Sequence, residues 1–107
     1  MTQITYRRHE DLVTISLDGH AEFNPGNDVV CASISTMTYQ LLNTLDMLQS
    51  EGKIKDFSYD FGDGRAKAGF RVVDENTWSI VWKVISIGYE NIADQYPNNL
   101  FIDSNFM

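Results

Sequence analysis

The chain contains a single cysteine, Cys31, so it cannot form an intramolecular disulfide. This excludes the disulfide-rich scaffolds of small secreted proteins and favours a reducing compartment, the cytoplasm. The N-terminal sequence MTQITYRRHEDL lacks the apolar core of a signal peptide. The longest apolar stretch, 78–88, is interrupted by Ser79, Lys83 and Ser86 and is too short to span a bilayer. We therefore expect a cytoplasmic protein that does not bind a membrane.

Basic residues are scarce, with 8 Lys and Arg against 15 Asp and Glu, and the formal net charge is -7. An acidic domain repels phosphate backbones, so nucleic acid is not an expected partner. The cysteine and the two histidines, His9 and His20, lack the spacing of a zinc site, and we expect neither a metal nor a cofactor. A chain of 107 residues with ordinary globular composition can bury one core, which predicts one domain over 1–107.

The hydrophobic pattern predicts an α+β fold. Strands are predicted at 3–8, 12–18, 54–61, 66–73 and 100–102, and helices at 29–49 and 75–95. The segment beginning at Trp78 is rich in β-branched and aromatic residues, which favour a strand by propensity. Its helical period and the absence of a turn signal at strand spacing favour a helix instead. The order ββαββαβ indicates a mostly antiparallel sheet with both helices packed on one face.

The first predicted helix places Cys31 in its first turn. Asp28 is the candidate N-cap of this helix, Gly52 follows its end, and Asp74 is the candidate N-cap of the second helix. Residues 19–27, GHAEFNPGN, are rich in Gly, Pro and Asn and predict a loop. One continuous apolar stripe runs along the first helix and consists of Ile34, Met37, Leu41, Leu45 and Leu48.

Cys31 and His20 are the candidate catalytic pair, because the predicted loop joins the histidine to the helix start that carries the cysteine. A helix N-terminus favours the thiolate form of a cysteine, and its backbone N–H groups can stabilise an oxyanion. A nearby imidazole can take the thiol proton and later protonate the leaving amine of a peptide. From the residues alone, the alternative that Cys31 is a small structural core residue stays open.

Four short motifs stand out along the chain. They are Gly19-His20-Ala21, the segment Asp28-Val29-Val30-Cys31-Ala32 with Ser35, the hairpin sequence Asp60-Phe61-Gly62-Asp63-Gly64, and Ile92-Ala93-Asp94-Gln95-Tyr96-Pro97. Together they resemble the Prp family of ribosomal-processing cysteine proteases. The resemblance covers nearly the whole chain in the same element order. It implies a cysteine endopeptidase that removes a short N-terminal leader from a precursor, either a large-subunit ribosomal protein or a phage capsid or scaffold protein.

The resemblance also implies roles for individual residues. Cys31 corresponds to the nucleophile and His20 to the general base. Gly19, Asp28, Ala32 and Ser35 occupy motif positions that support the site or bind substrate, and the family resemblance implies a homodimer. The spacing between His20 and Cys31, the loop sequence 22–25 and Ser33 depart from the family pattern. These departures bear on substrate identity and favour a divergent or phage-encoded member.

Asp28 and Ser35 also have simpler alternative roles. Asp28 can act as a helix cap without orienting the imidazole of His20, and Ser35 can face solvent without contacting substrate. At the level of function, the alternative is a non-catalytic peptide-binding homodimeric module of the same fold, or a purely structural homodimer. Alkylation separates these classes, because a reactive thiolate at Cys31 reacts with iodoacetamide near neutral pH and a buried structural thiol does not.

Overall fold

The computed structural model describes residues 1–20 and 28–103. The elements are β1 (Thr2–His9), β2 (Leu12–Gly19), α1 (Val29–Ser50), β3 (Ile54–Gly62), β4 (Arg65–Val72), α2 (Glu75–Gln95) and β5 (Leu100–Ile102). The predicted order ββαββαβ and the α+β class are confirmed, and every predicted element bound lies within one residue of the observed bound. The predicted loop at 19–27 falls mostly on residues 21–27, which lie outside the described residues.

The five strands form one sheet in the order β3-β4-β2-β1-β5. Neighbouring strands run antiparallel except β1 and β5, which pair in parallel with Thr2 opposite Leu100. The central strand β2 pairs with β1 on one side and with β4 on the other, where Ile15 lies opposite Ala68. Because β2 and β4 are neighbours, the end of β2 lies beside the turn that joins β3 to β4.

One face of the sheet is buried beneath both helices. Ile4, Ile15 and Phe70 point to this face from β1, β2 and β4, and each is at most 1% exposed. Thr14 and Lys67, which occupy alternate positions on the same strands, remain partly or fully exposed on the other face. This alternation is typical of a half-buried antiparallel sheet and confirms the prediction that the helices pack on one face.

Helix α1 begins and ends as its sequence predicts. The Asp28 carboxylate accepts a hydrogen bond from the Cys31 backbone N–H at 2.9 Å, which caps the first turn. At the other end, Gly52 follows the helix with a φ of 74°, a left-handed conformation that glycine adopts without steric cost. Of the predicted stripe, Met37 is half-buried and the other four members are buried.

Helix α2 confirms the choice of helix over strand. Asp74 caps it, and its buried aromatic residues fall at helical spacing. The Trp78 ring meets Phe70 edge-on at a centroid distance of 4.7 Å, and the Trp82 ring stacks on Tyr6 at 4.7 Å. This packing outweighs the weak β propensity of the segment, because propensity differences are small beside aromatic burial. Within the described residues, neither helix is long and apolar enough to cross a membrane.

Candidate active site

A cavity of about 390 Å³ lies between α1, the end of β2 and the turn of the β3–β4 hairpin. Its lining includes Gly19, His20, Cys31, Ser35, Asp63 and Gly64. The fold therefore brings the predicted catalytic pair to one cavity, although the two residues belong to different parts of the chain. Cys31 comes from the first turn of α1, and His20 directly follows β2.

Cys31 is half-buried and is held at the start of α1 by the helix cap. Its backbone N–H donates to the Asp28 carboxylate at 2.9 Å, and the Ala32 N–H donates to the Asp28 carbonyl oxygen at 3.1 Å. These bonds fix the backbone that carries the thiol. They also engage two of the N–H groups that the sequence suggests as oxyanion donors.

His20 is exposed at the mouth of the cavity and lies against the hairpin turn. Its Nε2 atom is 3.9 Å from Asp63 Oδ1, and its side chain is 54% exposed. The Gly19 N–H donates to the Gly64 carbonyl oxygen at 2.8 Å, which ties the backbone next to the histidine to the same turn. The turn therefore holds His20 in two ways. It bonds to the backbone of the preceding residue, Gly19, and it contacts the imidazole ring.

The remaining predicted site residues divide into two groups. Gly19 and Ser35 line the cavity with the candidate pair. Gly19 has a φ of 102°, and a Cβ there would overlap the carbonyl oxygen of Met1, so this position requires glycine. Asp28 and Ala32 lie at the start of α1 but outside the cavity lining, with Asp28 serving as the helix cap and Ala32 exposed.

Two aromatic residues in the cavity wall were not among the predicted site residues. Tyr39 of α1 and Phe61 of β3 approach each other with ring centroids 5.1 Å apart, and they are 55% and 40% exposed. A signal for Tyr39 exists in the sequence, because it follows Cys31 and Ser35 at intervals that keep all three on one helix face. Phe61 reaches the cavity only through the packing of the hairpin against α1, which no local pattern indicates.

The floor of the cavity contains a buried polar contact. Thr38 lines the cavity and is 3% exposed, and its hydroxyl lies 2.9 Å from the hydroxyl of the fully buried Tyr89. Burial raises the pKa of Tyr89 to about 12, and the hydrogen bond with Thr38 opposes part of that rise. Tyr89 therefore stays neutral beneath the site at any physiological pH.

A larger hollow of about 560 Å³ lies between β1 and α2 and contains neither Cys31 nor His20. An ion pair crosses its rim, where the Arg8 guanidinium donates to the Glu75 carboxylate at 2.6 and 2.9 Å. Size alone would favour this hollow, but it holds no nucleophile paired with a base. As for metals, no cluster of three or more His, Cys, Asp or Glu suited to an ion occurs among residues 1–20 and 28–103.

A cysteine at a helix start and a histidine in the same cavity define the kind of site that cysteine proteases use. Comparison with known families agrees, since the family described as Cysteine protease Prp matches residues 1–101. The chain belongs to the Prp family of cysteine proteases, which are hydrolases.

Individual relatives agree in sequence and in fold. The ribosomal processing cysteine protease Prp of Staphylococcus aureus, in strains Mu50 and NCTC 8325, is 27% identical over 100 residues, which span 91% of each chain. The crystal structure of Prp from S. aureus with a covalently linked product peptide has a TM-score of 0.72, 24% identity, and coverage of 96% of this chain and 98% of that one. The crystal structure of SMU.848 from Streptococcus mutans has a TM-score of 0.67, 22% identity, and coverage of 96% and 92%. The structural likeness shows a shared fold.

Proposed function

We propose that the chain is an endopeptidase in which Cys31 is the nucleophile and His20 is the general base. One observation carries the proposal: in a member of this protease family, the single cysteine and an exposed histidine from another element line the same cavity. The reading of Cys31 as a buried structural residue has less support, since its side chain is only partly buried and borders open space.

The proposed reaction uses these two side chains in sequence. His20 takes the proton of the Cys31 thiol, and the sulfur attacks the carbonyl carbon of the scissile peptide bond. The imidazolium then protonates the leaving amine as the C–N bond breaks, which leaves the acyl group on sulfur as a thioester. A water molecule, deprotonated by His20, attacks the thioester, releases the carboxylate product and restores the thiol. Atoms and protons balance without a cofactor.

The start of α1 fixes the position of the Cys31 thiol for this reaction. The Cys31 and Ala32 N–H groups already donate to Asp28, so neither is oriented towards an oxyanion while the cap is intact. We assign to Asp28 the role of holding the first turn that carries the thiol. Ser35 lies one turn after Cys31 in the cavity lining, and its position suits contact with the bound peptide.

We propose that the substrate is a precursor protein from which a short N-terminal leader is removed. A relative in S. aureus is named as a ribosomal processing protease, and its structure has been determined with a substrate peptide. The precursor is either a large-subunit ribosomal protein or a phage capsid or scaffold protein. The net charge of -7 would attract a basic precursor, weakly and more so at low salt.

A cleavage assay tests this proposal. The wild-type protein, Cys31→Ala and His20→Ala are each incubated with an extended ribosomal protein and with a phage capsid precursor that has a similar leader, and mass spectrometry identifies the products. We expect wild type to cut one precursor and both variants to lose cutting by at least about 100-fold. Binding of both precursors without cutting, together with a Cys31 inert to iodoacetamide, would contradict the protease and leave the peptide-binding module.

We also propose that the protein forms a homodimer through α2. Ile80, Val84 and Ile87 are 64%, 61% and 53% exposed, and their spacing places them on one face of the helix. Complete burial of such side chains contributes about 1.5–3 kcal/mol each. A second copy of α2 offers the same apolar stripe, and an apolar contact avoids bringing together the negative charges of two acidic chains.

Sedimentation analysis tests the dimer with one disruptive variant and one control. Val84→Glu places a charge in the middle of the stripe, and we expect it to shift the protein from dimer to monomer. Met47→Glu introduces the same charge at a 51% exposed apolar residue of α1, outside the stripe, and should leave the dimer intact. A monomeric wild type, or a dimer that survives Val84→Glu, would contradict this interface.

A further inference from the structure

We propose that the turn of the β3–β4 hairpin, residues 62–64, positions the imidazole of His20 for the reaction. Gly64 does so by leaving room for the ring, and Asp63 does so with its carboxylate. Both are positioning residues, since they act on the histidine and not on the substrate. The inference deepens the proposed function and rests on it.

Gly64 forms the surface against which the His20 ring lies. Its φ is 72°, and a Cβ added there would lie 2.8 Å from His20 Nε2 and 3.4 Å from each of the two ring carbons bonded to it. A carbon 2.8 Å from a ring nitrogen is closer than van der Waals contact allows, so any side chain at 64 must displace the imidazole. The Gly19 N–H bond to the Gly64 carbonyl at 2.8 Å fixes the backbone preceding His20 to the same residue.

Asp63 is the charged group of the turn that faces the imidazole. The titratable or charged residues around His20 in the cavity are Cys31 and Tyr39 from α1, and Asp63 and Arg65 from the hairpin. Arg65 pairs with Asp60, a residue outside the cavity lining, to which its Nε donates at 3.2 Å. Among the described residues, Asp63 supplies the only carboxylate of the cavity lining, with Oδ1 at 3.9 Å from His20 Nε2.

The two contributions act at different points of the reaction. Gly64 places the ring in every state, because the contact is steric. Asp63 attracts a positively charged imidazolium more strongly than a neutral ring, so its effect falls on the steps in which His20 carries the thiol proton, and therefore on kcat. Its side chain is 98% exposed, and solvent therefore weakens the attraction.

Gly64→Ala and Gly52→Ala form a matched pair of variants. Gly52 has a φ of 74°, close to that of Gly64, but a Cβ there meets nothing within 4 Å. Both alanines experience similar backbone strain, and only the one at 64 presses on His20. We expect Gly64→Ala to lower kcat for the precursor at least about tenfold, with KM within about twofold of wild type, because small misplacements of a catalytic group have large effects. Gly52→Ala should retain wild-type kcat.

Asp63→Asn and Asp46→Asn form the second matched pair. Both remove one negative charge, but Asp46 lies on the exposed side of α1, about 22 Å along the helix axis from Cys31. We expect Asp63→Asn to lower kcat about two- to fivefold with KM unchanged, the range of an exposed ion pair. Asp46→Asn should have no effect, and Asp63→Glu should recover part of the loss.

A readout without substrate separates this inference from the proposed function. The chain has two histidines, so His20→Ala assigns the imidazole NMR signals of His20 and His9 directly. The His20 ring signals should shift in Gly64→Ala and stay in place in Gly52→Ala. If wild type fails to cut any precursor, the protease proposal fails, and these signals still test the turn. Identical His20 signals in the two glycine variants, or equal kcat values, would overturn the positioning role.

Discussion

The hydrogen bond between Tyr89 and Thr38 gives a stability prediction that depends on pH. The Tyr89 side chain is fully buried, and its hydroxyl lies 2.9 Å from that of Thr38. Tyr89→Phe removes this hydroxyl with little change in shape. Thr38 keeps its own bond to the Ile34 carbonyl at 2.7 Å, so its buried hydroxyl is not left without an acceptor. At pH 7 the variant should therefore unfold more easily by only about 1 kcal/mol, the net value of one such bond.

At high pH the same hydroxyl destabilises the folded state, because it ionises more readily in the unfolded chain. Burial raises the pKa of Tyr89 to about 12 in the folded protein, whereas an unfolded tyrosine titrates near 10. A group whose pKa is raised on folding stabilises the fold fully below the unfolded pKa and loses that contribution as the pH rises towards the folded pKa. At pH 11 the wild type should thus have lost about 1.4 kcal/mol through this residue, and phenylalanine loses nothing.

Urea denaturation at intervals from pH 7 to pH 11 measures this difference. The buried Trp78 and Trp82 report unfolding by fluorescence, and a reductant keeps Cys31 from oxidising. Other groups that titrate in this range do so in both proteins, so the comparison isolates residue 89. We expect the advantage of wild type to shrink and vanish near pH 11. An advantage that stays constant over this range would show that the Tyr89 hydroxyl ionises as easily in the folded chain as in the unfolded one.

The remaining predictions concern α2 and its contacts. The pKa of the Asp74 carboxyl is held below its usual range, mainly by the hydrogen bond from the Thr77 backbone N–H and next by that from the Lys53 ammonium. A lowered pKa stabilises the fold above the unfolded carboxyl pKa, so wild type should be more stable than Asp74→Asn at pH 7, with the gap closing below about pH 4. A gap as large at pH 3 as at pH 7 would contradict this. Trp82→Ala removes a ring that is 7% exposed and stacks on Tyr6, and urea denaturation should show a loss of about 3–5 kcal/mol. A loss below about 1 kcal/mol would show that the stacking of Trp82 on Tyr6 contributes little to the stability of the fold.

The sequence predicts the helices and most of the sheet because several local signals agree. Asp28 and Asp74 cap helices whose apolar residues recur at helical spacing, and the hairpins have clear alternation with turn residues between the strands. The parallel pairing of β5 with β1 has no such signal. Three residues cannot show a period, and the register with Thr2 opposite Leu100 arises only when the end of α2 brings the chain back to the sheet.

The glycines of the candidate site show a second limit of prediction from local sequence patterns. The sequence indicates Gly64 as a turn residue and Gly19 as the start of a loop, and both have the positive φ that such positions favour. Their second function appears only in three dimensions, where the N–H of Gly19 bonds to the carbonyl of Gly64 and the ring of His20 occupies the space that a Cβ at position 64 would need. A turn requires a residue that adopts a positive φ, whereas the close approach of the His20 ring requires a residue without a Cβ. Glycine satisfies both, so its presence alone does not tell which requirement selects it. The pair Gly64→Ala and Gly52→Ala separates the two, because the strain is shared and the contact with His20 is not.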